Sequence, residues 1–248
     1  MKIRNFGAGG RALECERILD SRLACITDGE LILLPIPTTR DNKYITKTAF
    51  TIEDICAMID TKTKIAGYGI PRRLLSAASE NGAMVFDAGL DEEFLLQNAE
   101  LTARGAIGHI LTHLDRDLGD TTVGVVGYGR IGKSLVKWLL RYGAHTVLYT
   151  GRREVMIDMG EMGVSARLVG ENADFSDIDI LINTAPARQV DESRLNVKTE
   201  VIDLASGKVF ENSPNLTKLS SIPDAFYPLT AGRLYAEAIL RGLWGEKL

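Results

Sequence analysis

Residues 121–153 read TTVGVVGYGRIGKSLVKWLLRYGAHTVLYTGRR, and this stretch decides how the rest of the chain is understood. It opens with a β-branched run, Thr122-Val123-Gly124-Val125-Val126, which predicts a buried strand. The glycine turn Gly127-Tyr128-Gly129-Arg130-Ile131-Gly132 follows at once. An amphipathic segment with Ile131, Leu135 and Leu139 on one face comes next, and Gly143 closes it. Thr146-Val147-Leu148-Tyr149 then predicts a second strand. This β-turn-α-β order is what a dinucleotide site requires. The first glycine makes the tight turn, the second lets backbone approach a pyrophosphate, and the third lets helix and strand pack closely, with the helix N-terminus facing the phosphate charge. A bare GxGxxG is often an ordinary glycine turn; here strand, helix and second strand all flank it as the mechanism demands.

The end of the second strand selects the coenzyme. An NAD site places Asp or Glu there to accept hydrogen bonds from the ribose hydroxyls. This chain has Thr150-Gly151-Arg152-Arg153. A carboxylate repels a 2′-phosphate, whereas guanidinium groups clamp it in bidentate fashion. The plain alternative is two solvated arginines with Glu154 pairing one of them. The pattern favours NADP over NAD.

At 248 residues, the chain is long enough for one large core or two modest ones. Its 45% hydrophobic and 25% charged content is that of an ordinary globular protein. Net charge is −4 and the basic residues are scattered, which argues against a nucleic-acid partner. No apolar run approaches a membrane span, and MKIRNFGAGG lacks the apolar core of a signal peptide. Cys15, Cys25 and Cys56 show no CxxC spacing, so reduced structural thiols and a cytoplasmic location are expected.

Residues 1–97 read as a smaller α/β domain. Residues 2–6 suggest a short first strand running into Gly7-Ala8-Gly9-Gly10-Arg11, half of a nucleotide fingerprint. Its strand is short and polar, so a simple strand-to-helix turn is the better reading, with a helix over 12–19. Leu31-Ile32-Leu33-Leu34 predicts a buried strand stopped by Pro35 and Pro37. It delivers Thr38, Thr39 and Arg40 to a strand's carboxyl end, where open α/β sheets build sites. Strands are expected at 64–66 and 83–86, with a helix over 71–80 between them that starts on Pro71. Asn98 reads as the cap of a long helix to about residue 117, with Glu100 in its first turn. Ala103, Ile107, Ile110, Leu111, Leu114 and Leu118 supply the apolar face, and Gly105, Ala106 and Gly108 permit close backbone approach.

A nucleotide domain is expected over 98–228. Its third strand, 179–183, ends in Asn183-Thr184-Ala185-Pro186, and its fourth, 200–204, runs through Asp203-Leu204 into Ala205-Ser206-Gly207-Lys208. Ser220-Ser221-Ile222 suggests a short fifth. These polar loops share one sheet edge, where the nicotinamide end of a cofactor belongs. Pro228 precedes a last helix, about 230–243, expected to return to the first domain or to the long helix, so that residues 229–248 complete the first domain.

The motifs together resemble the D-2-hydroxyacid dehydrogenase superfamily, and within it the A-subunit family of bacterial dipicolinate synthases. The matching pieces are Asn98…Thr102…Gly105, the fingerprint from Gly127 to Gly132, and the run Asp177-Ile178-Asp179-Ile180-Leu181-Ile182-Asn183-Thr184-Ala185-Pro186. Ile202-Asp203-Leu204-Ala205-Ser206 and Pro228-Leu229-Thr230-Ala231-Gly232 follow in the same order. Leu31 to Pro37 with Thr38-Thr39 is a weaker match. The chain departs from the family in three places. Its first domain is short, Gly207-Lys208 stands where the family has an arginine, and Pro223-Asp224-Ala225-Phe226-Tyr227 replaces a glycine-rich loop.

The resemblance implies a Rossmann-type doubly wound parallel sheet beside a smaller flavodoxin-like α/β domain. It implies NADP-dependent oxidation of dihydrodipicolinate to dipicolinate in sporulation, with a flavoprotein-like B subunit for a partner; a homo-oligomer is also expected. Two substrate carboxylates call for cationic or amide partners. Lys208 suits one carboxylate, and Arg40 or Arg11 the other. Thr38, Thr39, Asn98, Thr102 and Ser206 are candidate donors, against the bland roles of capping for Asn98 and turn formation for the others. His109 and His113 lie four apart on one helical face, but no third metal ligand suggests itself. His113 is the better proton-acceptor candidate, since imidazole titrates near neutrality. His145 is expected at the surface. The alternatives are a dehydrogenase of another small 2-oxo or 2-hydroxy acid, whose usual Arg, Glu and His set is not found, and a protein that binds NADP without turnover.

Overall fold

The computed structural model describes residues 1–170, 173–186, 190–205, 209–211 and 213–245. The chain forms two compact units, Met1–Asn98 with Pro223–Leu248, and Ala99–Ile222. In the first, β1 (Lys2–Asn5), β2 (Glu30–Leu33), β3 (Thr63–Gly67) and β4 (Met84–Asp87) make a four-stranded sheet in sequence order, parallel throughout. Alternate residues of β2 and its continuation serve opposite faces. Leu31 and Leu33 pack with Cys15 and Leu19 of α1 (Gly10–Arg22) and with Tyr235 and Ile239 of the C-terminal helix, α8 (Pro228–Trp244). Ile32 and Leu34 pack with Ile55 of α2 (Ile52–Cys56) and Leu74 of α3 (Arg72–Glu80). A sheet buried on both faces reads as a continuous apolar run, as this strand does.

The second unit holds a six-stranded sheet in the order β10-β9-β8-β5-β6-β7, again parallel. Its strands are β5 (Thr122–Val126), β6 (His145–Thr150), β7 (Ser165–Leu168), β8 (Ile180–Asn183), β9 (Glu200–Asp203) and β10 (Leu216–Lys218). Val123, Val125, Ile180 and Ile182 face one core, with Ala106 and Ile110 of α4 (Glu92–His113), Leu135 and Leu139 of α5 (Arg130–Arg141), and Val155 and Met159 of α6 (Arg153–Glu161). Val126, Tyr149 and Leu181 face the other, covered by Phe175, Ile178, Val190 and Phe210. The chain reverses sheet direction between β5 and β8, which makes their carboxyl ends the switch point. Both units are thus α/β with parallel sheets, the second of Rossmann type. Among the described residues no helix is long and apolar enough to cross a membrane.

Several expectations need correction. The long helix starts at Glu92 rather than Asn98 and ends at His113. Its cap is Asp91, whose Oδ1 accepts the Phe94 N–H at 2.8 Å, with Glu92 and Glu93 in the first turn. Asn98 therefore lies inside the helix, and Leu111, expected on the apolar face, is 42% exposed. The last strand is Leu216–Lys218, not 220–222, and Ile222 opens a short helix, α7 (Ile222–Phe226). Pro71 is the cap of α3 rather than its first residue. Helix α2, with a Thr51–Asp54 capping box, was not anticipated, nor were α6 and β7.

Asp91 also pairs with Arg241 of α8 at 2.9 Å. Partial burial pushes its carboxyl up, but the Phe94 N–H and Arg241 outweigh this and hold it below the ordinary 3.8. A carboxylate depressed in the folded state stabilises fully above its unfolded value and loses that contribution as pH falls. Asp91→Ala is expected to cost about 1–2 kcal/mol at neutral pH by loss of cap and ion pair. In urea unfolding the difference from wild type should shrink as pH drops below 3.8; a gap that stays constant to lower pH would contradict the role of the ionised form.

Candidate dinucleotide and substrate sites

In the second unit, the sequence β5–turn–α5 forms because glycine is forced at two of its three positions. Gly127 has φ 93°, and a Cβ there would lie 2.8 Å from Thr184 Oγ1. A Cβ on Gly132 would fall inside the carbonyl of Gly127. Gly129 differs: it has φ −83°, and a Cβ would meet no atom of the described residues within 4 Å. The fold itself therefore does not require glycine at 129. As the cap residue of α5, Gly129 also brings no side chain to the first N–H groups of that helix. Thr184 ties the loop to the end of β8, its hydroxyl donating to Val126 O at 2.8 Å and lying 3.4 Å from Gly127 O.

The ends of β8 and β9 are joined by a buried amide–carboxylate pair. Asn183 Nδ2 donates to Asp203 Oδ1 at 2.8 Å and to Ala185 O at 3.1 Å, while Asn183 Oδ1 accepts the Ala185 N–H at 3.1 Å. Asp203 Oδ1 also accepts the Ala205 N–H at 3.1 Å, and Leu204 N donates to Asn183 O. Asp203 is 2% exposed; among the described residues its Oδ2 has no hydrogen-bond partner, and it lies 3.8 Å from Lys218 Nζ. Both carboxylate and amide thus fix two successive exit loops. Pro186 is at the surface, and Ser206 and Lys208 lie outside the described residues.

At the end of β6, Thr150 is buried and its Oγ1 accepts the Arg152 N–H at 3.2 Å. Arg152 immediately precedes α6, and its Nη2 donates to Tyr128 O at 2.9 Å. One guanidinium is therefore fastened to the glycine loop. Lys133 Nζ stands 5.6 Å over the Tyr128 ring. Burial raises the Tyr128 hydroxyl above its ordinary value, with Asp158 adding and Arg152 opposing. Gly151, Arg153 and Glu154 are exposed.

The proposed substrate residues separate. Thr38 is fully buried and its Oγ1 accepts the Tyr68 N–H at 3.0 Å, while its own N–H donates to Tyr68 O. These two bonds pin the loop after β2 to that after β3. Thr39 Oγ1 is tied to Asp41 at 3.2 Å in an exposed turn, and Arg40 is exposed. Thr102 is buried on α4, about three turns before His113. His113 cannot serve the same edge. The chain leaves α4 at His113 and enters β5 at its amino end, opposite the glycine turn. His109 and His113 stack at 4.2 Å and border the start of β9 with Lys198 and Glu200, around a cavity of about 430 Å³. His145 is at the surface.

In the first unit, the other glycine turn is occupied by the chain itself. Asp224 Oδ1 accepts the Arg11 N–H at 2.8 Å at the start of α1. A Cβ on Gly9 would lie 2.6 Å from Asp224 Oδ2. An internal carboxylate thus stands over this turn at the start of α1. Asp224 lies in the segment that departs from the family pattern, and its contact at Gly9 was not legible before the fold was known.

Comparison with known proteins gives the same picture. Residues 101–199 match the family model for the D-isomer specific 2-hydroxyacid dehydrogenase, NAD binding domain. The chain is 24% identical over 225 residues to the dipicolinate synthase A subunit of Bacillus subtilis (strain 168), covering 84% of this chain and 75% of that protein. It is similar in fold to the crystal structure of the dipicolinate synthase A subunit from Bacillus halodurans, with TM-score 0.79, 21% identity and 96% of each chain covered. The structure of the Bacillus subtilis counterpart gives TM-score 0.73 at 20% identity, covering 96% of this chain and 92% of that one. The chain is an NAD(P)-dependent dehydrogenase by these matches, and the second unit carries its nicotinamide-coenzyme fold.

The two kinds of glycine can be told apart experimentally. Gly129→Ala should leave the melting temperature nearly unchanged, because its Cβ meets no atom among the described residues, yet weaken coenzyme binding at least about tenfold, or roughly 1.4 kcal/mol. Gly132→Ala should lower the melting temperature itself. Equal thermal losses for the two, or full coenzyme affinity in Gly129→Ala, would contradict the assignment.

Proposed function

We propose that this chain is an NADP-dependent oxidoreductase that oxidises dihydrodipicolinate to dipicolinate in sporulation, working with a flavoprotein-like B subunit. The observation that carries the coenzyme choice is Arg152, anchored on Tyr128 O beside the glycine loop at the strand end where an NAD site has an acid. The residues present fit a bound dinucleotide phosphate. Gly127 and Gly132 shape the turn, Gly129 leaves the loop open to a close approach, and the α5 N-terminus supplies N–H groups and positive potential. Arg152 and Arg153, at the start of α6, suit a 2′-phosphate.

When bound, NADP+ accepts the hydride. The protein's own tasks are then to bind, orient and exclude. The Asn183–Asp203 pair holds the exit loops of β8 and β9 in one register, so that Thr184, Ala185, Leu204 and Ala205 present a fixed surface at the switch point. Asp203 is committed to these contacts and acts by positioning. Formation of the aromatic pyridine ring supplies driving force, so positioning of the flat diacid is the larger demand on the protein. Lys208 and Thr102 remain the proposed carboxylate and hydroxyl contacts. The preference for the dipicolinate reading over other small acids rests on the relatives named above.

Titration of the purified chain with both coenzymes tests this. NADP+ should bind at least about tenfold tighter than NAD+, and Arg152→Asp should erase that preference by weakening NADP+ binding about tenfold or more while changing NAD+ binding by less than about threefold. Equal losses for both coenzymes would remove the basis for NADP. Dihydrodipicolinate generated in situ should give NADPH absorbance, with the B subunit present; no absorbance change would favour a coenzyme-binding protein without turnover.

A further inference from the structure

Arg11 is 8% exposed, and its Nε is one of three buried side-chain polar atoms that lack a hydrogen-bond partner among the described residues. It stands in the first turn of α1, which starts at the carboxyl edge of the first unit's sheet. A guanidinium keeps its charge at any working pH, so a buried one needs an anion. Burial pulls Arg11 below its ordinary value, and Asp224, Tyr235, Cys15 and Tyr68 are the groups that oppose this. Three of the four supply no charge. Burial raises both the Cys15 thiol and the Tyr235 hydroxyl, which stay protonated, and Tyr235 spends its proton on Leu34 O at 3.2 Å. The third, Tyr68, brings a phenol and no carboxylate.

Only Asp224 remains, and it is shared. Its Oδ1 accepts the Arg11 backbone N–H, and its Oδ2 lies over Gly9. Among the described residues no carboxylate reaches ion-pair distance of the Arg11 side chain. One acid thus serves both a full guanidinium charge and the partial positive charge at the N-terminus of the 13-residue helix α1. The place is left with surplus positive charge and an unused donor, at the edge of a parallel sheet where such folds bind ligands.

We propose that Arg11 anchors a carboxylate of the substrate in the first unit. The ligand class is a small organic acid, and its carboxylate completes the charge that Asp224 only partly offsets. This rests on the dehydrogenase reading given above and assigns to it a binding residue. Asp224 has a second role as the internal acid that a ligand carboxylate must tolerate or displace.

The test uses the full chain with NADP+ bound and pyridine-2,6-dicarboxylate as probe, followed by calorimetric titration. Arg11→Lys keeps a charge but loses the planar fork, and should raise Kd about fivefold or more. Arg11→Met should raise it at least about thirtyfold, with NADP+ affinity unchanged in both. Asp224→Asn removes the like charge and should tighten the probe. Probe affinity within twofold of wild type in Arg11→Lys, or weaker binding in Asp224→Asn, overturns the proposal; should Arg11→Met fail to fold, Arg11→Lys decides alone. The two readings fail separately. Turnover with unchanged KM in Arg11→Lys sinks the anchor and spares the oxidoreductase, whereas Arg11-dependent binding of oxalate or the probe without turnover does the reverse.

Discussion

Everything in the second unit depends on how closely the first turn of α5 approaches the end of β5. Gly132 sits against the carbonyl of Gly127, and no side chain fits between them. That contact brings the helix N-terminus to the carboxyl edge of the sheet, where its N–H groups face outward over the loop. Thr184 locks the arrangement from the neighbouring strand through Val126 O. The Asn183–Asp203 pair extends the same order to β9. A helix dipole, a strained glycine and three strand ends are thereby held in one place, which is the constellation anion binding requires.

The chain contains two glycine turns after two first strands, and the structure gives them opposite uses. At Gly9-Gly10 the chain's own Asp224 caps the helix and fills the approach. At Gly127–Gly132 a Cβ on the middle glycine would meet nothing among the described residues. The difference is electrostatic as much as steric. Asp224 stands against the first N–H groups of α1, so a phosphate there would meet a like charge at close range, whereas α5 begins at a residue with no side chain.

The fold was legible where local chemistry sufficed. The alternation of β2 and the β5–turn–α5–β6 unit follow from β-branched runs and glycine spacing alone. The start of α4 was misplaced because Asn98 looks like a cap, while Asp91-Glu92-Glu93 carries the stronger signal of an acid accepting Phe94 N–H before an acidic first turn. The short β10 and α2 lack a periodic pattern long enough to recognise. Of the candidate site, the strand, glycine turn and helix around 127–132 were legible from one motif, whereas the anchoring of Arg152 on Tyr128 O was not. The bond that Thr38 Oγ1 accepts from Tyr68 N–H, thirty residues away, could not be read, because only folding brings the two loops together. Sequence left Arg11 and Arg40 as equal candidates for a carboxylate; burial and an unused donor distinguish Arg11, whereas Arg40 is exposed.

The central claim is that the amides opening α5, and not those opening α1, receive the coenzyme's diphosphate. Hydrogen exchange read by mass spectrometry, with and without saturating NADP+, measures this directly. Slowed exchange in peptides spanning 127–133 and 150–153, with residues 7–11 unchanged, is the result expected. Protection at 7–11, or none at 127–133 under saturating coenzyme, would contradict it.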